Sequence, residues 1–311
     1  MASRLLYSLP KRANPLAVVV VTFNSADTLP GLLSSLQQGL GDIANCEVVV
    51  VDNASTDNSV ELVEEHPLDA RVIRSPRNAG YAAAINMAAE TIRSNADLLI
   101  LNPDIRIFEN TVRNLQTCLS DPAVGIAVPR ILEESGELSF SLRRDATLAS
   151  TWLEAILGGQ LADRYGLGEI LSEPAFYDAP LDVEWATGAI LMVSAQARKQ
   201  VGDWDESFFL YSEEVDFMRR VRRAGLKVRY SPKALAVHIG GDTHASPFLY
   251  SLCATNRVRD YARNHGRVST AMLRCAVIFG EALRAWRGKE HRAALRALLR
   301  TELSLPDQSR A

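Results

Sequence analysis

Short apolar runs alternate with amphipathic segments along the first half of the chain. The runs are rich in β-branched residues, which is typical of buried strands, and the segments between them begin with helix starters such as Ser25, Asp27 and Thr56. Strands are predicted at Ala17–Thr22, Glu47–Val51, Arg71–Arg74, Asp97–Leu101 and Val124–Val128. The alternation predicts an α/β fold with a mostly parallel central sheet, flanked by helices in a doubly wound order.

The pattern changes in the second half of the chain. Residues 130–184 hold glycines and prolines without a clear period, which favours a variable insertion or a mobile loop region. Alternation then resumes, with predicted strands at Ala189–Val193, Lys227–Tyr230 and Leu235–His238 and a predicted helix at Glu213–Ala224. The sequence therefore predicts an N-terminal tail at 1–15, one α/β domain at 16–245 and a helical C-terminal extension at 246–311.

The C-terminal extension is the basic part of a chain whose formal net charge is -3. From residue 255 to the end there are twelve Arg and Lys against five Asp and Glu. Ala282–Leu303 alternates Leu and Ala with Arg and Lys at roughly helical spacing, so it is either a solvated surface helix or an interfacial helix that contacts anionic lipid or a phosphate-bearing acceptor. Aromatic residues do not interleave with the basic ones, which argues against nucleic acid.

Composition and cysteine spacing narrow the class of protein further. A chain of 311 residues with 47% hydrophobic and 23% charged residues is typical of a globular protein. The four cysteines are far apart and suggest neither disulfides nor a zinc site, and no apolar run approaches the ~20 residues that a membrane-spanning helix needs. We therefore expect a cytoplasmic protein, with peripheral contact at the inner face of the plasma membrane left open.

Polar clusters follow three of the predicted strands. They begin at Thr22, Asp52 and Asn102. In open α/β sheets, ligands bind beyond the carboxyl ends of the strands. Asp52 can accept the imide N–H of uracil or thymine there, or it can simply cap the next helix. Asp104 can hold a divalent cation together with diphosphate oxygens, or it can simply form a turn.

Three acids and one histidine are further candidates for chemistry. Glu213, Glu214 and Asp216 follow an aromatic segment, and crowded carboxylates in such a cleft suit a general base. The alternative is that they compensate the macrodipole of a helix capped by Ser212. His238 ends a predicted strand before two glycines and is either a metal ligand or a structural histidine.

Seven motifs in a fixed order carry a specific resemblance. Between residues 16 and 266 the chain contains, in order, TFNS, VVDNASTDNS, RNAGYAAAINMA, LNPD, WATGAILMV, WDESFFLYSEEVDFMRRVRRAG and VHIGG. This series resembles the family-2 inverting glycosyltransferases of the GT-A fold, and it looks most like the bacterial rhamnosyltransferase-like branch that builds cell-wall and surface polysaccharides. The resemblance implies a nucleotide-sugar-binding half at 16–129, the insertion at 130–184 and an acceptor and catalytic half at 185–245.

The resemblance also implies roles for the site residues. Glu214 would be the general base, with Glu213 and Asp216 able to share the role, although the family has aspartate where Glu214 stands. Asp104 and His238 would hold Mg²⁺ or Mn²⁺, although Asn102 replaces the first acid of the usual Asp-x-Asp. The nucleotide-binding residues would be Thr22, Asn24, Asp52, Asn53, Arg77, Asn78, Gly80 and Asn102. The donor and acceptor cleft would be shaped by Trp185, Gly188 and Ala189.

The implied function is transfer of a sugar from a nucleoside diphosphate donor with inversion. dTDP-rhamnose is the first choice of donor and a saccharide or lipid-diphosphate-linked saccharide the acceptor; UDP-linked galactofuranose, glucose or N-acetylglucosamine are alternative donors. A non-catalytic nucleotide- or glycan-binding member of the fold is a second reading, and a homo-oligomer is compatible with the sequence. A dinucleotide-dependent dehydrogenase is disfavoured, because no G-x-G-x-x-G follows the first strand.

Overall fold

The computed structural model describes residues 14–41, 43, 46–240 and 246–300. Residues 1–13 and 301–311, which include most of the predicted tail and the end of the predicted extension, lie outside this part of the chain. Gly241, the second glycine after His238, lies outside it as well.

The described residues form a mixed sheet flanked by helices, which confirms the predicted α/β class. The strands are β1 (Leu16–Thr22), β2 (Cys46–Asp52), β3 (Arg71–Arg74), β4 (Asp97–Leu101), β5 (Ile105–Ile107), β6 (Val124–Glu133), β7 (Leu142–Arg143), β8 (Leu181–Val183), β9 (Trp185–Ala186), β10 (Ile190–Val193) and β11 (Lys227–His238). The helices are α1 (Leu29–Gly39), α2 (Ser59–Glu64), α3 (Tyr81–Thr91), α4 (Thr111–Leu119), α5 (Leu148–Leu157), α6 (Gly159–Arg164), α7 (Ala195–Val201), α8 (Glu213–Arg223), α9 (Pro247–Asn264), α10 (Arg267–Arg284) and α11 (Lys289–Leu298).

The strand order of the main sheet is β3-β2-β1-β4-β10-β6-β11-β5. The first four strands are parallel, as predicted, but the doubly wound order does not continue, because β10 lies antiparallel between β4 and β6. Ile190 at the start of β10 pairs with Leu101 at the end of β4. The chain therefore enters β10 from the carboxyl edge of the sheet, which brings the residues just before β10 to the same edge as the polar strand ends.

The two faces of the sheet bury separate apolar cores. Alternate residues of β1 point to opposite faces, so Val19 and Val21 belong to one core and Val18 and Val20 to the other. Helix α3 covers the first face, and helices α1 and α4 cover the second. The two segments predicted at Lys227–Tyr230 and Leu235–His238 form one strand, β11, with a register shift between Ser231 and Leu235.

The segment at 130–184 is not the loop region that its glycines and prolines predicted. It contains α5 and α6, and α5 begins with a capping box in which Thr147 and Ser150 bond each other's backbone N–H groups. Helix α5 packs against α10, where the Trp152 and Phe279 rings lie 5.9 Å apart. The glycines mark turns between elements rather than an absence of structure.

The basic C-terminal region is divided between two helices, so the segment predicted as a surface or interfacial helix over Ala282–Leu303 is not one continuous helix. Helix α10 ends at Arg284, and α11 begins at Lys289. The buried face of α11, which includes His291, Ala294 and Leu298, packs against α9 and is not free to contact a membrane. None of the helices in the described ranges combines the length and hydropathy that a membrane-spanning helix needs.

Candidate active site

A pocket of about 220 Å³ lies beyond the carboxyl ends of β1, β2 and β4, and we call it the strand-end pocket. It is lined by Val21, Phe23, Ser25, Asn53, Asn78, Gly80, Tyr81, Asn102, Pro103, Phe209 and Leu210. Four residues predicted to bind nucleotide are therefore brought together here: Asn53, Asn78, Gly80 and Asn102. They come from three separate strand ends, as the parallel arrangement requires.

The wall of the strand-end pocket is held by backbone contacts at Gly80. The side-chain amide of Asn53 donates to the Gly80 carbonyl over 3.0 Å, and its oxygen accepts from the Ala79 N–H. Gly80 has a φ of +93°, and a Cβ at this position would lie 2.3 Å from the carbonyl oxygen of Phe209. Only glycine fits this close approach, which joins the strand-end pocket to the loop before α8.

Thr22, Asn24 and Asp52 lie at the same edge of the sheet, where β1 and β2 end. Thr22 and Asp52 are paired in register across β1 and β2, and both are buried. The Asp52 carboxylate accepts from the backbone N–H of Ser55, and the Asn24 side chain accepts from the N–H of Thr56 over 2.8 Å. These contacts order the polar loop after β2. None of these three residues lines the strand-end pocket itself, and neither does Arg77, which is exposed.

Asp104 and His238 meet at the carboxyl edge. Strand β11 runs antiparallel to β5 with His238 opposite Ile105, which places His238 beside the residue before Ile105. The Nε2 atom of His238 lies 3.2 Å from Oδ2 of Asp104, and the backbone N–H of Ile239 donates to the Asp104 carbonyl. Two residues 134 positions apart are thus in direct contact.

The donor set at Asp104 fits a divalent cation. Oδ1 of Asp104 is buried and has no hydrogen-bond partner among the residues that the structure describes. A Cβ on Gly240 would lie 2.3 Å from Oδ2 of Asp104, so glycine leaves room beside the carboxylate. Within the described ranges no group of three or more His, Cys, Asp or Glu forms a complete metal site. A cation here would therefore need ligands from substrate or water as well.

The three acids enter α8 through an unusual loop. Phe209, Tyr211 and Ser212 all have φ between 67° and 75°, a conformation that is uncommon for residues other than glycine. The Ser212 side chain makes no capping bond, so the prediction that it caps the helix is wrong. Such backbone strain recurs at functional sites, where the surrounding structure holds it. Here it turns Glu213 and Glu214 toward the interior.

Burial raises the pKa values of Glu213 and Glu214 above those of ordinary carboxyl groups. Glu213 is 3% exposed, and burial, with the nearby Glu214, holds its pKa well above the usual value. Its Oε2 has no hydrogen-bond partner in the described part of the chain. Burial also raises the pKa of Glu214, to about 7, with Asp260 contributing and Arg143 opposing. A carboxyl group with a pKa near neutrality can exchange a proton with a hydroxyl group during a reaction.

Glu214 lines a second cavity of about 320 Å³, which we call the Glu214 cavity. Its other walls come from β7, β9, α5, α6, α8, α9 and the loops after α6 and before α8. They include Arg143, Glu154, Asp163, Glu169, Trp185, Tyr211, Arg219, Cys253, Arg257 and Asp260. The Trp185 indole donates to the Arg144 carbonyl over 2.8 Å, which fixes the ring in this wall. The cavity contains both carboxylates and cations, so it is suited to a polar ligand.

Gly188 connects the two cavities. A Cβ on Gly188 would lie 3.3 Å from the Cβ of Glu214, and its carbonyl accepts from the hydroxyl of Tyr81, which lines the strand-end pocket. Burial raises the pKa of Tyr81, and the charges of Glu213, Glu214 and Asp104 add to that shift. The charges of Asp104 and of the two adjacent glutamates therefore act on one tyrosine.

Ala189 and Asp216 both make contacts that hold neighbouring elements or turns together. The Ala189 carbonyl accepts from the backbone N–H of Asn102, which ties β10 to the end of β4. The Asp216 carboxylate bonds Nε of Arg220 over 2.7 Å and is not among the residues that line the Glu214 cavity. Asp216 is thus separated from the two acids that precede it.

Two residues of the site were not predicted from the sequence. Asn256, which is fully buried on α9, donates from its side-chain amide to the carbonyls of Phe208, Leu210 and Tyr211. Arg143 lies in the Glu214 cavity within reach of the Glu214 charge. In the sequence, Asn256 stands out as an asparagine in the middle of an amphipathic helical segment. No sequence pattern marks Arg143.

The fold is that of the GT-A glycosyltransferases. The mannosyltransferase PcManGT from Pyrobaculum calidifontis, solved in complex with GDP-Man and Mn²⁺, is similar over 93% of this chain and 80% of that one, with a TM-score of 0.60 and 18% identity. GalNAc-T7 with UDP, GalNAc and Mn²⁺ is similar over 85% of this chain and 55% of that one, with a TM-score of 0.57 and 15% identity.

The chain belongs to glycosyl transferase family 2, whose model matches residues 17–174. It is 28% identical over 234 residues to the N-acetylglucosaminyl-diphospho-decaprenol L-rhamnosyltransferase of Mycobacterium tuberculosis, which covers 72% of this chain and 75% of that protein. It is also 28% identical to the low-salt glycan biosynthesis hexosyltransferase Agl10 of Haloferax volcanii, over 72% of this chain and 66% of that one. The protein is thus a glycosyltransferase, and the resemblance in its motifs is confirmed.

Proposed function

We propose that the protein transfers a sugar from a nucleoside diphosphate to an acceptor hydroxyl with inversion at the anomeric carbon. One observation carries the proposal: Glu214, whose pKa is raised to about 7, lies against Gly188 between the strand-end pocket and a second polar cavity. In this assignment the strand-end pocket takes the nucleotide and the Glu214 cavity takes the acceptor. Glu214 then stands where the two substrates meet.

In the proposed reaction, a carboxylate oxygen of Glu214 accepts the proton of the acceptor hydroxyl. The hydroxyl oxygen forms a bond to the anomeric carbon, and the bond from that carbon to the diphosphate oxygen breaks on the opposite side, so that the nucleoside diphosphate leaves with the bonding electrons. Glu213 stays protonated beside it, because burial keeps its pKa high. A single displacement needs no nucleophilic side chain on the protein.

Asp104 and His238 would hold a divalent cation, Mg²⁺ or Mn²⁺, at this site. The buried free oxygen of Asp104 and the hard-oxygen and imidazole donors support the assignment. When bound, the cation supplies positive charge that offsets the charge of the leaving diphosphate. Asp52, Thr22 and Asn24 would recognise the base and ribose of the nucleotide. Asn102 would contribute to the pocket rather than to the cation.

L-rhamnose is the donor sugar that we propose, with a lipid-diphosphate-linked saccharide as the acceptor. The support is the printed function of the Mycobacterium tuberculosis relative and the basic C-terminal region, which suits a phosphate-bearing acceptor at a membrane. The cytoplasmic face of the membrane is then the place of reaction. A UDP-linked hexose is the alternative donor, because an aspartate at position 52 accepts from uracil and thymine alike.

The Glu214→Gln variant tests the assignment. It removes the proton acceptor but keeps the size of the side chain, so we expect a loss of transfer of about a hundredfold or more, while a nucleoside diphosphate with Mn²⁺ still raises the melting temperature. The matched control is Asp216→Asn, because Asp216 is paired with Arg220 outside the cavity and should keep most of the turnover. Near-native transfer by Glu214→Gln contradicts the proposal.

The same melting experiment tests the proposed cation site and the alternative that the protein binds a nucleotide or glycan without catalysis. Asp104→Asn should remove the part of the nucleotide-dependent stabilisation that requires Mn²⁺, since a ligand that binds only the native state stabilises it by mass action. A panel of dTDP- and UDP-sugars identifies the donor by product formation. Nucleotide binding without transfer or hydrolysis of any donor would favour a binding protein.

A further inference from the structure

Large exposed apolar side chains are concentrated on α10, at the end of α5 and on the α6 segment that follows it. On α10 they recur at helical spacing, at Val268, Met272, Phe279 and Leu283, and so form one stripe, and Trp286 follows in the turn just after the helix. Trp286 is 79% exposed, and Phe279 and Leu283 are each more than two-fifths exposed. Ordinary surfaces carry such side chains singly, so a continuous stripe marks a surface that contacts something.

Helix α5 extends the stripe into a wider face. Trp152 packs against Phe279, and the backbone carbonyls of Glu154 and Ala155 accept from the guanidinium of Arg284. Ile156, four residues after Trp152 and therefore on the same side of α5, is 60% exposed. We define the α5–α10 patch as Ile156, Val268, Met272, Phe279, Leu283 and Trp286.

The charge on the side of the α5–α10 patch formed by α10 and α11 is mostly positive. Residues 267–300 contain eight Arg and Lys but only two Glu. One of these, Glu281, is buried and bonded to His291, so it offers little charge to the surface. Arg287, Lys289 and Arg292 are exposed next to Trp286, and the Arg287 guanidinium lies 5.5 Å from its ring. Aromatic and aliphatic side chains with a basic rim match the interface of an anionic bilayer.

We propose that the α5–α10 patch is the surface by which this glycosyltransferase binds an anionic lipid bilayer. A second copy of the chain is the weaker occupant, because a symmetric dimer would bring the same basic rims together. Glu154, on the side of α5 opposite to Trp152 and Ile156, lines the Glu214 cavity. Helix α5 thus contacts both the proposed bilayer and the proposed acceptor site.

The purpose of this contact rests on the proposed function, because a membrane would deliver a lipid-linked acceptor to the Glu214 cavity. The contact itself does not depend on that function. Its apolar part would insert shallowly, as an interfacial helix does, and its basic rim would add salt-dependent attraction. Bilayer binding and sugar transfer can therefore be measured separately.

Cosedimentation with vesicles tests the proposal on the full chain without any donor. We expect the protein to bind vesicles of mixed phosphatidylcholine and phosphatidylglycerol much more tightly than phosphatidylcholine alone, and less tightly at high salt. The double variant Leu283→Ser/Trp286→Ser should bind the anionic vesicles roughly tenfold more weakly. Phe108→Ser is the matched control, because Phe108 is 45% exposed but lies between β5 and α4.

Three results would overturn the proposal. They are failure of the native chain to bind anionic vesicles, equal binding by the double variant, and a dimer in solution that the double variant dissociates without any vesicle binding. Binding that does not depend on anionic lipid would overturn the role of the basic rim. Nucleotide-dependent melting of the double variant, measured in parallel, shows that it is folded and reports on the proposed function independently.

Discussion

Glu213 and Glu214 are neighbours in sequence but differ in what surrounds them. Glu213 is enclosed and carries an oxygen without a partner among the residues described, whereas Glu214 faces a cavity and Gly188. Two carboxyl groups this close do not both ionise easily, so the more enclosed one keeps its proton. The other is left as an ionisable acid with a pKa of about 7. Because Glu213 keeps its proton, Glu214 is the member of the pair that can act as the base in the proposed reaction.

Arg143 is predicted to set the pH at which that base works. Its positive charge lowers the pKa of Glu214, against the larger effect of burial. Because transfer requires ionised Glu214, the rate should fall as the pH falls through about 7. Arg143→Gln removes the opposing charge, so the acidic limb of the kcat/KM profile should move to higher pH, and Arg143→Lys should keep it near its original position.

Arg198→Gln is the matched control for this measurement. Arg198 also donates to backbone carbonyls, those of Arg93 and Ala96, but it is not among the residues that line the Glu214 cavity. Its replacement should leave the pH profile in place. An unmoved limb in Arg143→Gln would mean that a group other than Glu214 controls the profile.

Where a strand end or a motif marked a residue, the sequence predicted which side chains meet at the carboxyl edge of the sheet. Asp104 and His238 were predicted as partners, and they lie in contact. Arg143 could not be found, because its position depends on the pairing of β7 with β9 across the 130–184 segment. The pairing of Asp216 with Arg220, by contrast, could have been predicted, because the two residues are four apart on the predicted helix.

At the scale of elements, the loop from Phe208 to Ser212 connects both cavities and is held from outside. Its Phe209 carbonyl accepts from the N–H of Tyr81, at the start of α3. Asn256 on α9 holds the same loop through three of its carbonyls. Left-handed backbone at three residues costs about 1–3 kcal/mol each unless neighbours compensate for it. Asn256 therefore helps to keep the acids in place.

We predict that Asn256→Ala lowers kcat by about tenfold to a hundredfold, because small displacements of reacting groups are expensive. The nucleotide should still bind. The acidic limb of the pH profile should also move to lower pH, since Glu213 and Glu214 would be less enclosed, and an effect on folding alone would not move it. Asn264→Ala is the control, because Asn264 donates only within α9, to the Asp260 carbonyl. Unchanged kcat in Asn256→Ala would contradict this positioning role.

Elements with a simple period were predicted nearly to the residue, and elements that depend on distant contacts were not. Strands β3 and β4 have the predicted bounds. The antiparallel direction of β10 was not predicted, because a strand's own sequence does not record the direction in which the chain enters the sheet. The same limit applies to Ser212, whose sequence favours a cap but whose backbone is set by the loop before it.

At the scale of the whole molecule, side-chain bonds join the 130–184 segment, helix α8 and the C-terminal helix α9 to one another. Arg219 of α8 forms two bonds to Asp260 of α9, of 2.6 and 2.7 Å. Arg257 of α9 bonds Glu154 of α5 over 2.7 Å and also bonds Glu169. Composition alone predicted that these segments are an insertion and a separate basic extension. Charge counts do not show which arginines form buried ion pairs with acids of another segment.

Arg257 should therefore matter to stability more than an exposed arginine does. Arg257→Met leaves two largely buried carboxylates, Glu154 and Glu169, without their shared cation, which should lower the free energy of unfolding by about 2 kcal/mol or more. Burial raises the pKa of Glu169 to about 7 even with Arg257 present, and the cation lowers it. Removing the cation raises that pKa further, so Glu169 is ionised less readily in the variant.

The sign of the pH dependence follows from this. Unpaired carboxylates are costly only when charged, so the destabilisation by Arg257→Met should be larger at pH 8 and shrink as the pH falls through about 7, where Glu169 takes up a proton. Urea unfolding of both proteins across that range measures it. Arg164→Met, at an exposed site on α6, should cost little at any pH. An effect of Arg257→Met that grows toward acid pH would show that the carboxylates are not what Arg257 stabilises.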